Sequence, residues 1–100
     1  CMIVDLNGLQ IDGTTDEIMP MKPLKEKFEA FGIHVLEVDG HDYAGLLDAF
    51  IEAKAISGKP TCLLAKTVKG KGVSFMENRC DWHGKAPDDK EYATALEELK

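Results

Sequence analysis

A chain of 100 residues, 44% apolar and 30% charged with nine Gly, has the size and make-up of one α/β-type domain at most. Twelve Lys and Arg against eighteen Asp and Glu leave a net charge of −6, which excludes a basic footprint for nucleic acid or an anionic membrane. No apolar run approaches the roughly 20 residues of a membrane span, and no segment resembles a signal peptide. Cys1, Cys62 and Cys80 are irregularly spaced and odd in number, which argues for a reducing compartment and a cytoplasmic protein.

The chain opens inside an apolar run, Cys1 to Val4, which reads as a strand cut from a larger protein. Asp5-Leu6-Asn7-Gly8 then reads as a turn, and Thr14-Thr15-Asp16 as a further polar break. Pro20 and Pro23 delay helix formation until Leu24, from which Leu24, Phe28 and Phe31 mark one helical face, with Gly32 in the C′ position. Ile33 to Val38 is a second strand, and Asp39-Gly40-His41 a turn. Asp42 caps a helix along which Tyr43, Leu46, Leu47, Phe50 and Ala53/Lys54 recur, ending at Gly58 with Pro60 beyond it. Thr61 to Ala65 is a third, nearly all-apolar strand, followed by the basic loop Lys69-Gly70-Lys71-Gly72. Asp88 and Glu91 have capping-box spacing for a last helix that runs to Leu99.

Continuous apolar strands alternating with helices predict an α/β fold, a parallel sheet covered by helices on both faces. Right-handed crossovers put every strand's C-terminal end on one edge, where ligands of such sheets bind. The loops near Asn7, His41 and Lys69 are therefore the places to look for chemistry.

Asp5-x-Asn7-Gly8-Leu9 either opens a hard-cation site or is an ordinary Asn-Gly turn. An EF-hand fails, because Gln10 stands where its glycine is required. Lys66 to Gly72 either grips phosphate through glycine backbone and lysine charge or is a solvated loop, and it is not a Walker loop. His83, in Asp81-Trp82-His83-Gly84, either serves phosphate and proton transfer or is a loop histidine satisfied by neighbours. Cys80-x-x-His83 lacks the second pair a zinc site needs. His34, His41 and the acidic helix faces, Glu97-Glu98 among them, read as structural or solvated.

Several longer stretches resemble transketolase: Asp5-Leu6-Asn7-Gly8-Leu9-Gln10-Ile11-Asp12-Gly13, Phe31 to Asp42, Lys59-Pro60-Thr61, Ala65 to Gly72 and Trp82-His83-Gly84-Lys85-Ala86-Pro87. The likeness runs in order over essentially the whole chain. It is to the split, two-polypeptide form in particular, whose N-terminal section binds the diphosphate of thiamine diphosphate. 1-Deoxyxylulose-5-phosphate synthase shares that fold but is less similar from Lys69 to Pro87.

The resemblance implies that residues 1–100 are the C-terminal portion of a diphosphate-binding domain, with an upstream segment missing. Asn7 corresponds to a Mg²⁺ (or Ca²⁺) ligand through its side-chain oxygen, and Leu9 to the residue whose carbonyl completes the metal site. Leu9 and Ile11 correspond to apolar cofactor contacts, and Lys69 to a lysine that reaches the diphosphate. His83 corresponds to a catalytic histidine between diphosphate and substrate. The implied reaction moves a two-carbon ketol unit from a ketose phosphate to an aldose phosphate, with the cofactor as electron sink. The implied partners are sugar phosphates and a pyrimidine-binding domain or C-terminal subunit, in a homodimer or heterotetramer. The family's Gly-Asp-Gly segment and its activating glutamate are absent here, so this chain alone is expected to be inactive, or else a non-catalytic remnant.

Overall fold

Contacts divide the chain, described over residues 1–100 by a computed structural model, into two units: Cys1–Leu6 with Met21–Thr67, and Asn7–Pro20 with Val68–Lys100. In chain order the elements are β1 (Met2–Leu6), β2 (Leu9–Gln10), β3 (Gly13–Thr14), α1 (Thr15–Ile18), α2 (Leu24–Ala30), β4 (His34–Asp39), α3 (Tyr43–Ala55), β5 (Thr61–Lys66), a 3₁₀ turn (Cys80–His83) and α4 (Asp89–Glu98).

The first unit is built on β5. Its residues Thr61 to Ala65 are all buried, and a strand of that kind must have covered faces and paired edges. It has both: the sheet order is β1-β5-β4, parallel throughout, with Met2 and Val35 opposite Cys62, and Leu6 and Asp39 opposite Lys66. On one face Leu24 and Phe28 of α2 pack with Val4, Leu6 and Ile33 over Val35, Cys62 and Leu64. Burial there raises the Cys62 thiol's pKa. α3 covers the other face, where His34 Nε2 lies 3.3 Å from Glu52 Oε1 and a side chain on Gly45 would meet Val38. The sheet is thus parallel and covered on both faces, as the strand pattern predicts.

Three local expectations need correction. β1 continues through Asp5 and Leu6, because Ala65 and Lys66 are there to pair with them. Phe31 leaves the helical face: α2 ends at Ala30, and Phe31 is 85% exposed as its C-cap. α3 turns Gly45, Leu46, Ala49 and Ala53 inward, and Tyr43 and Leu47 are 90% and 61% exposed. Small side chains bring that helix close to the sheet, so the aromatic residue of the same pattern lies outside.

At the C-terminal edge the strand ends are laced together. Gly40 N–H donates to the Lys66 carbonyl at 2.7 Å, Thr67 N–H to the Leu6 carbonyl at 3.4 Å, and the Thr67 hydroxyl to the Asp5 carboxylate. A Cβ on Gly40 would lie 2.5 Å from Thr67 Cγ2, so only glycine permits this approach.

The second unit contains the antiparallel β2–β3 hairpin, α1, the segment from Val68 to Arg79, the 3₁₀ turn and α4. Its short elements are held by side-chain caps. Thr14 and Glu17 form a capping box on α1, as Asp88 and Glu91 do on α4.

Leu63 is fully buried in the central strand, so Leu63→Ala should lower stability by about 2–5 kcal/mol in chemical denaturation. A loss below about 1 kcal/mol would contradict a core centred on β5.

Candidate functional site

All five residues singled out by the sequence, Asn7, Leu9, Ile11, Lys69 and His83, fall in the second unit. No hydrogen bond or ion pair joins Asn7, Lys69 and His83 to one another.

Asn7 follows β1 directly and folds its carboxamide back on its own turn. Its Oδ1 accepts the Leu9 N–H at 2.9 Å, an Asx turn, while the Gly8 carbonyl accepts the Thr15 N–H at 2.9 Å. An amide oxygen has two acceptor positions, so this bond orients Oδ1 and leaves one open. Ile11, at the hairpin tip, has φ +48° and is 58% exposed. A β-branched residue in the left-handed region costs about 1–2 kcal/mol, and an apolar side chain more than half exposed recovers little of that from burial.

Lys69 is half-buried at the base of a closed loop: its carbonyl accepts the Asn78 N–H at 3.0 Å. Its ammonium takes no part in the ion pairs of Lys25, His34, Arg79, Lys85 and Lys100. Inside the loop, Gly70 has φ +72° and a Cβ there would lie 2.7 Å from the Met76 backbone. Gly72 N–H donates to Glu77 Oε1 at 2.8 Å, and both Ser74 donors go to Glu98: N–H to Oε2 at 2.5 Å and Oγ–H to Oε1 at 2.7 Å.

His83 closes the 3₁₀ turn and is exposed, with no hydrogen-bond partner for its ring. The preceding Trp82 ties that turn to the lysine loop. Its Nε1–H donates to the Phe75 carbonyl at 3.1 Å, and the two rings lie 5.5 Å apart. Lys85 lies 4.2 Å over the Trp82 ring and pairs with Glu91 at 2.5 Å. A recess of about 230 Å³ runs between Phe75, Trp82 and these charges, but its cations are paired: Arg79 with Asp81 and Lys85 with Glu91. No group of three or more His, Cys, Asp or Glu side chains is arranged to hold a metal.

The model of the transketolase thiamine diphosphate-binding domain family matches residues 1–99. This chain belongs to that family. Among transketolase relatives, an apulose-4-phosphate transketolase subunit of Actinobacillus succinogenes is 44% identical over 99% of this chain and 36% of its own length. A 6-deoxy-6-sulfo-D-fructose transketolase subunit of Clostridium sp. (strain MSTE9) is 42% identical over 96% of this chain and 35% of its own. The chain thus spans about a third of these curated relatives. A crystal structure of Campylobacter jejuni transketolase superposes with a TM-score of 0.88 at 32% identity, covering 96% of this chain and 15% of that one. No helix of this transketolase-family chain is long and apolar enough to cross a membrane.

Sequence reasoning missed two features of the site. The hairpin and α1 were hidden by their shortness, although Thr14-x-x-Glu17 is a readable capping box. Glu98 was read as solvated, whereas it binds Ser74, 24 residues away, and no local signal carries such a pairing.

Two predictions follow from this geometry. Gly70→Ala should break the loop, through its positive φ and a clash with backbone, while Gly84→Ala, which meets nothing within 4 Å, should not. Trypsin cleavage after Lys69 and Lys71 should rise in the first variant only, and equal rates would contradict the loop shape.

The second concerns acid. The Lys85 ammonium and the Asp88 N–H hold the Glu91 carboxyl below its usual 4.5, and Ser74 holds Glu98 below the same value. Depressed carboxylates contribute fully above 4.5 and lose that contribution as pH falls through their lower folded values. NMR shifts of the Ser74 and Asp88 amides, which donate to Glu98 and Glu91, should therefore titrate below pH 4.5, and inflections at or above it would contradict these contacts.

Proposed function

We propose that this chain is the C-terminal portion of the diphosphate-binding domain of a transketolase, which transfers a two-carbon ketol group between a ketose phosphate and an aldose phosphate. The observation that carries the reading is the family match over residues 1–99, with an ordered Asn7 turn and an unpaired Lys69 and His83 in one unit.

The residues fit thiamine diphosphate and a hard cation in kind. The open acceptor position of Asn7 Oδ1 and the Leu9 carbonyl are hard oxygen donors suited to Mg²⁺ or Ca²⁺. They are too few for a metal site of their own, so a bound metal would need further oxygens from the diphosphate and from residues outside this chain. The unpaired Lys69 ammonium supplies charge for the diphosphate, and Gly70 and Gly72 let backbone approach it. The strained, exposed Ile11 presents an apolar surface that a ring system would cover.

When bound, the cofactor supplies the electron sink for breaking the ketose carbon–carbon bond. In this reading His83 holds or moves a proton at the sugar hydroxyls, a role supported by a ring that no neighbour occupies. Transketolase relatives named as subunits support a partner polypeptide that brings further machinery. The two relatives' names describe a sulfo-sugar and a sugar phosphate, which supports an anionic sugar as substrate.

In the assembled enzyme, Lys69→Ala should weaken thiamine diphosphate binding about tenfold or more, the loss of one charge-assisted contact. His83→Ala should lower turnover by about a hundredfold at saturating cofactor. Calorimetry and a ketol-transfer assay check the pair. Wild-type values in both variants would overturn the assignment.

A further inference from the structure

The last turn of α4 carries Glu97 and Glu98 and no base, although a helix C-terminus favours cations. Glu97 pairs with Lys100, but Glu98 reaches outside its helix and spends both carboxylate oxygens on Ser74. We infer that Glu98 is a positioning residue: it clamps Ser74, and through it shapes the loop from Lys69 to Asn78 that presents the Lys69 ammonium. The inference rests on the reading of Lys69 as a diphosphate contact.

The loop's other restraints show why a clamp is needed. Its base is closed by the Asn78 N–H on the Lys69 carbonyl, and its second half is a tight turn in which the Val73 carbonyl accepts from Met76 and Glu77. Gly72 is held by Glu77 within the same loop. From outside the loop, Trp82 holds Phe75 through its Nε1–H and its ring, while Ser74, nearer Lys69, is held only by Glu98. Between Lys69 and Ser74 stand two glycines at positive φ, the most flexible residues available. Removing Glu98 releases both Ser74 donors to water and returns that freedom to the segment beside Lys69. A lysine on a mobile loop must be ordered by its ligand, and affinity falls by that cost. The lowered pKa of Glu98 accords with a carboxylate that stays charged in this role.

The test uses the full-length protein with Glu98→Ala, Glu98→Gln and Lys69→Ala. Thiamine diphosphate affinity with Mg²⁺ is read by calorimetry, loop order by trypsin cleavage after Lys69 and Lys71, and folding by the thermal midpoint. Glu98→Ala should weaken binding about tenfold and speed cleavage with little change in midpoint, the effect expected for two exposed hydrogen bonds. Glu98→Gln, which keeps an acceptor oxygen for Ser74, should recover most of both. Wild-type affinity in Glu98→Ala beside weakened binding in Lys69→Ala would overturn the positioning role alone. A glutamine variant as weak as the alanine one would overturn it too, by showing that charge rather than the clamp matters. Wild-type affinity in Lys69→Ala would instead overturn the reading of the loop on which the role depends.

Discussion

Neither face of β5 from Thr61 to Ala65 meets water, and both its edges are paired. Burial of that strand is the constraint on which the first unit depends. It demands α2 on one face and α3 on the other, and it demands β1 and β4 as neighbours. Parallel pairing then sets the register, with Leu6, Asp39 and Lys66 level with one another. The bonds from Gly40 and Thr67 finish that edge, so the points where the chain passes into Asn7 and into Val68 are determined by the core.

The second unit is held by a different kind of force. Its elements are too short to be stabilised by propensity, and its apolar burial is slight: Val73 is its one buried hydrophobic residue. Polar side chains do the joining. Thr14 with Glu17 and Asp88 with Glu91 close helix ends, and Asn7 closes its own turn. Glu77 and Glu98 satisfy loop amides, and Trp82 anchors the 3₁₀ turn to Phe75. Such contacts are individually weak, so the Asn7 turn, Lys69 and His83 are presented by a framework that depends on charge state.

The elements legible in the sequence were those written locally. Asp42 and the Asp88–Glu91 box mark helix starts by chemistry that acts within one turn, and the apolar run of β5 is continuous. What failed was set by distant partners. Asp5 and Leu6 become strand only because Ala65 and Lys66 lie beside them. Tyr43 shares a helical period with core residues yet faces out, because the sheet selects the small side chains of α3. The candidate residues came from motif resemblance: the Asn7–Leu9 bond is the local turn an Asn-Gly pair suggests, whereas the Ser74–Glu98 clamp cannot be inferred from spacing.

The central claim is that the Asn7 turn, Lys69 and His83 serve one ligand, and a crystal structure of the full-length protein with thiamine diphosphate and Mg²⁺ tests it most directly. The account predicts the metal on Asn7 Oδ1 and the Leu9 carbonyl, with diphosphate oxygens within hydrogen-bond reach of Lys69 and His83. A diphosphate bound away from the Asn7 turn, with Lys69 and His83 both in bulk solvent, would contradict it.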